Sequence, residues 1–72
     1  MSCKKIFSIR IKELRESQGL GIRELAKQLG ISHTAILFYE GGKRTPNIDV
    51  CLLFADRFGV SCDYLIRRTD NK

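Results

Sequence analysis

Apolar positions recur along this chain at intervals of three and four, the spacing that gathers side chains on one face of an α-helix, and nowhere keep the two-residue rhythm of a strand. Phe7, Ile11 and Leu14 stand four and three apart among Arg10, Lys12, Glu13, Arg15 and Glu16, which predicts an amphipathic helix from Phe7 to near Gly19. Ile22, Leu25, Ala26 and Leu29 fall at i, i+3, i+4 and i+7, one face of a two-turn helix stopped by Gly30. Ser32 is suited to cap a third helix, 33–40, because its hydroxyl can accept a free backbone amide of the first turn. Asn47 is placed to do the same for a fourth, with the stripe Ile48, Cys51, Leu52, Ala55 and Phe58 ending at Gly59. Val60, a capping Ser61 and Leu65 predict a short fifth helix, so the chain reads as all-α.

The third helix has two apolar directions. Ile36 and Tyr39 point one way, while Thr34 and Phe38, four apart, point nearly the other way. It is preceded by a very short turn at Gly30 and Ile31 and followed by "GGKRTPN", a loop by composition. Two helices of about two turns each, joined by a turn of three or four residues containing glycine, meet the description of a helix-turn-helix.

Charge sharpens this reading. Thirteen Lys and Arg against eight Asp and Glu leave a net charge of +5 on 72 residues, which puts a polyanion first among partners. The bases are spread over several segments and do not line one amphipathic helix, so a membrane surface fits less well. No apolar run approaches the roughly 20 residues of a membrane span, and Arg10 and Lys12 interrupt any signal-peptide core, which places the chain in the cytoplasm. Cys3, Cys51 and Cys62 form no C-x-x-C, and Cys51 falls within an apolar stripe, so neither a disulfide scaffold nor a metal site is expected. His33 is the single histidine and has no acidic or cysteine neighbour in sequence to build a triad with. No enzyme, cofactor or small-molecule ligand is implied.

The segments "LRESQGL", "ELAKQLGIS", "YEGGKRTP" and "FGVSCDYL" together resemble the Cro and lambda-repressor-like helix-turn-helix domain of the xenobiotic-response-element type. The resemblance runs from Ile9 to about Asn71 and implies a compact five-helix bundle, here a single domain over 1–72 with a polar tail at about 67–72. It implies sequence-specific binding of double-stranded DNA by a transcriptional regulator, most often a repressor of phage, mobile-element or bacterial origin. The recognition helix 33–40 would lie in the major groove. His33 and Thr34 would meet base edges by hydrogen bonds, and Ala35, Leu37 and Phe38 would meet thymine methyls. Arg23, Lys27, Ser32, Lys43, Arg44 and Asn47 would serve phosphate oxygens, together with the amides that open the second helix. Arg15 and Glu40 match positions that pair in the family, as scaffold and not as site.

Two departures qualify the resemblance. Family members usually carry Ser or Thr, then Gln, where this chain has Gly21 and Ile22; glycine is a weaker cap and isoleucine cannot bond a phosphate. Leu37 and Phe38 replace residues that are usually polar or basic. Either these two press on thymine methyls and sugars, or Ile22, Leu37 and Phe38 form an apolar patch that binds a protein, as an anti-repressor or antitoxin-like module would, or Leu37 simply packs at the helix edge. The retained basic loop and the +5 charge favour DNA. Such domains usually act as homodimers on near-palindromic operators with half-sites about 34 Å apart, and Val50, Leu53 and Tyr64 are the residues expected at the contact. The tail also resembles the junction beyond which longer members continue into a second domain.

Overall fold

Five helices make up most of residues 3–67, the part of the chain that the computed structural model describes: α1 Cys3–Ser17, α2 Ile22–Leu29, α3 His33–Glu40, α4 Ile48–Phe58 and α5 Cys62–Ile66. No strand occurs among the described residues, and no helix there is long and apolar enough to cross a membrane. Most of the polar tail expected at about 67–72 lies outside the described residues.

The start and stop signals act as their chemistry requires. Ser32, Asn47 and Ser61 each cap a helix by accepting the backbone N–H three residues on, at 3.1, 2.8 and 3.0 Å. Gly21 precedes α2 with no side-chain cap at all. Gly30 closes α2 in the left-handed region (φ 73°), where any other L-residue would be strained, and its N–H donates to the Ala26 carbonyl at 2.8 Å. This turn swings α3 across α2 within three residues. α1 begins earlier than the Phe7 expected from the pattern, because Ile6 is also buried and extends the apolar face toward the N-terminus.

The core is built where α1, α3 and α4 meet. Phe7, Tyr39 and Phe54 contact one another edge to face, with ring centroids 5.3 to 6.3 Å apart, the geometry in which a ring's positive edge meets its neighbour's negative face. Ile11, Leu25, Ile36 and Leu65 are fully buried around this triad.

The expected stripe of α4 needs correction. Phe54, absent from it, is fully buried, whereas Ile48 and Leu52 are 64% and 46% exposed. Eight of the eleven residues of α4 are apolar, so their spacing admits several faces. Asp49 and Asp56 decide among them: at about 100° per residue both lie on one side, and the opposite side carries Cys51, Phe54, Ala55 and Phe58. A second correction concerns Tyr64, expected at a dimer contact. It is buried in the core under the Arg10 guanidinium, which lies 4.0 Å from the ring centroid. Val50 is half-buried against the core, and of the three only Leu53 is exposed.

Candidate nucleic-acid interface

Ile36 and Tyr39 anchor α3 in the core, and this orients everything else on the helix. With that side fixed, the outward arc carries His33, Thr34, Leu37 and Phe38, at i, i+1, i+4 and i+5. Thr34 is exposed and His33 half-buried; Leu37 and Phe38 are 49% and 39% exposed. Ala35 lies on the flank and is half-buried against the core, so little of its methyl reaches the outward arc. The helix therefore presents two polar groups at its start and two large apolar ones in its second half.

The orientation of α3 is held from behind by an ion pair. Arg15 of α1 donates from Nε to Glu40 Oε2 at 2.6 Å and from Nη2 to Glu40 Oε1 at 3.1 Å, a two-pronged contact at the last residue of α3. Its third prong, Nη1, donates to the Leu20 carbonyl at 2.8 Å, in the link between α1 and α2. One guanidinium thus ties three elements together. The two side chains are only 11% and 7% exposed, and the hydrogen bond to Glu40 raises the Arg15 pKa above its already high ordinary value.

Beyond α3 the chain turns through Gly41 and Gly42. The carbonyls of Leu37, Phe38 and Tyr39 accept the N–H groups of Gly41, Lys43 and Gly42, at 2.9, 2.9 and 3.2 Å. Gly42 adopts φ 70° to make this possible. Lys43 and Arg44 emerge exposed directly afterwards. Arg44 folds back over the rings of Phe38 and Tyr39, its guanidinium carbon 5.1 and 5.8 Å from their centroids. Sequence reasoning assigned Arg44 and Phe38 to separate tasks and missed this cation–π contact, because it depends on the path of the Gly-Gly turn and not on helical spacing.

Arg23 and Lys27 are exposed on α2, four residues apart. Ser32 and Asn47 are exposed but partly committed, since the oxygen of each caps its helix; the Ser32 O–H and the Asn47 NH₂ remain as donors. Ile22 is half-buried against the core and contributes little to an outward patch with Leu37 and Phe38.

A helix seated by its predecessor across a glycine turn, carrying mixed polar and apolar side chains outward and followed by a basic loop, defines a helix-turn-helix protein. The family profile HTH_3, helix-turn-helix, matches residues 11–65, and the chain belongs to that family. Among curated relatives, the HTH-type transcriptional regulator AnsR of Bacillus subtilis is 33% identical over 63 residues, covering 88% of this chain and 54% of the relative. The HTH-type transcriptional regulator ImmR of the same organism is 33% identical over 61 residues, covering 85% of this chain and 48% of its own length. The chain thus spans about half the length of these relatives. The restriction-modification controller protein C.AhdI from Aeromonas hydrophila superposes with a TM-score of 0.78 at 26% identity, covering 86% of this chain and 94% of that one. A hypothetical transcription factor from Neisseria shares the fold, with a TM-score of 0.80 at 21% identity over 88% of this chain and 72% of its own.

Proposed function

We propose that this protein is a sequence-specific, double-stranded-DNA-binding transcriptional regulator that inserts α3 into the major groove. The observation that carries the proposal is the outward arc of α3, His33, Thr34, Leu37 and Phe38, ending at the exposed pair Lys43 and Arg44, in a chain of the helix-turn-helix family. His33 and Thr34 supply hydrogen bonds to base edges, and Leu37 and Phe38 supply apolar contact that favours thymine methyls. Arg23, Lys27, Lys43 and Arg44 neutralise phosphates, and Ser32, Asn47 and the uncapped amides at the start of α2 add neutral donors. These contacts set register and affinity without reading sequence. Repression follows as the regulatory outcome when the occupied site overlaps a promoter, in a bacterial or phage setting and in the cytoplasm.

The described residues extend at most 27 Å, less than the roughly 34 Å between successive major-groove half-sites, so one copy reads one half-site. A homodimer on a near-palindromic operator meets that constraint. We assign its contact to the side of α4 that carries Ile48, Leu52 and Leu53, and not to Tyr64; the exposure of those three residues outside the core supports the assignment.

Titration of duplex DNA at several salt concentrations tests the proposal. Four phosphate-neutralising bases per copy correspond to a slope of log K against log salt of about −3.6, or about −7 for a dimer. Lys43→Ala and Arg44→Ala should each reduce that slope by about 0.9 per copy for all duplexes. Unchanged slopes in both variants would contradict the phosphate assignment.

A further inference from the structure

Behind the Gly41–Gly42 turn, between it and the first half of α1, lies an open cleft of about 380 Å³ whose lining includes Lys4, Lys5, Ser8, Ile9, Lys12 and Glu40 beside the two glycines. One wall comes from α1, which precedes the helix-turn-helix, and the other from the turn that follows it. A Cβ placed on Gly42 would lie 3.8 Å from Ser8 Oγ, and one on Gly41 would lie 3.8 Å from Lys43 Cγ.

Its electrostatics are one-signed. The one carboxylate on the lining, Glu40, is engaged by both prongs of Arg15, and neither Lys4 nor Lys12 is paired with a carboxylate among the described residues. The cleft also lacks directional donors: Ser8 Oγ–H donates to the Lys5 carbonyl at 2.7 Å, and the Gly41 and Gly42 amides are spent on α3.

From this combination we infer that the cleft is a phosphate subsite that carries the DNA backbone past the Lys43–Arg44 loop and along α1, outside the helix-turn-helix itself. A small phosphorylated effector needs fixed donors that match its shape. A passing phosphodiester needs only charge and room, and an open cleft of about 380 Å³ suits a wet, mobile contact. The inference rests on the DNA-binding reading above and adds flanking phosphates to it.

The test compares Lys4→Gln, Lys12→Gln and their double variant with Lys43→Ala and the unaltered protein. Each is titrated at several salt concentrations on one bound duplex, both long and trimmed to the bases under α3. Inorganic phosphate is titrated separately while the amides of Lys12 and Gly42 are followed by NMR, and thermal melting checks that every variant is folded. The expected result is a salt slope on the long duplex reduced by about 1 to 2 per copy in the double variant, no reduction on the trimmed one, and the same preferred sequence in both. A double variant with the full slope, beside a Lys43→Ala that lowers it, would overturn the subsite and leave DNA binding intact. Absence of salt-dependent binding by the unaltered protein would remove the underlying reading, and the subsite with it. Saturable phosphate shifts at Gly42 with unaltered DNA slopes would make the cleft a free-anion site, also overturning the inference.

Discussion

Replacing Glu40 by alanine isolates the device that fixes the angle of α3. In the native fold the Arg15 guanidinium has three donors satisfied, two by Glu40 and one by the Leu20 carbonyl. Glu40→Ala leaves two of those donors without a protein partner on a side chain only 11% exposed. Hydrogen bonds to a charged group are worth about 1.5–3 kcal/mol each, and breaking a buried pair costs about 3–5 kcal/mol in all. A chain of 72 residues has a total stability of roughly 4–11 kcal/mol at about 0.05–0.15 kcal/mol per residue, so the variant should stand near the edge of unfolding. Replacing both partners, as Arg15→Met with Glu40→Leu, removes the unpaired charge and should restore most of the loss. Urea denaturation followed by far-UV circular dichroism measures both, with a constant m-value as the check that the transition is comparable. A cost below about 1 kcal/mol for Glu40→Ala would mean that the pair behaves as a surface contact, and a double variant as unstable as the single one would refute the unpaired-charge argument. The raised Arg15 pKa adds no pH dependence near neutrality. A group whose pKa is raised on folding contributes stability that is complete below its unfolded value and is lost only as pH climbs past the folded one, here far into the alkaline range.

The core and the surface make further distinct predictions. Phe54→Ala should cost about 3–5 kcal/mol because it empties the centre of the aromatic triad, whereas Leu52→Ala should stay within about 0.5 kcal/mol for the monomer while weakening self-association in sedimentation experiments. Equal costs for the two would restore the face of α4 expected from spacing alone. Phe38→Ala should both change the preferred DNA sequence and weaken binding to every duplex, since Arg44 loses the ring on which it rests; a change in only one of the two would separate their roles. In thiol labelling at neutral pH, Cys3, which is exposed, should react first, and Cys51, whose burial pushes its pKa up, should react only on unfolding. Rapid labelling of Cys51 in the folded protein would show that the core opens locally.

What could be read from the sequence divides along a physical line. Helices whose polar residues leave one possible face, such as α2, and helix ends marked by Ser, Asn or Gly were legible because their signals are local. α4 was misread for the opposite reason: with so few polar residues, spacing alone did not separate Phe54 from Leu52, and only the placement of Asp49 and Asp56 resolves it. The outward arc of α3 followed from the inward pull of Ile36 and Tyr39, so the candidate reading surface was visible before its geometry was known. Contacts made through the Gly-Gly turn were not visible, neither Arg44 on Phe38 nor the lysines of α1 beside Gly41 and Gly42. Lys12 looked like an ordinary solvated charge of an amphipathic helix, and no local pattern could place it beside a turn some thirty residues further along the chain.

The central claim, that the arc of α3 reads DNA sequence, is tested most directly by selecting bound duplexes from a random-sequence pool and titrating the selected ones at two salt concentrations. Enrichment of an inverted repeat rich in thymine where Leu37 and Phe38 reach, bound with steep salt dependence, is the predicted result. A folded, unaltered protein that enriches nothing, and binds all duplexes alike and weakly, would contradict it and turn Leu37 and Phe38 toward a protein partner.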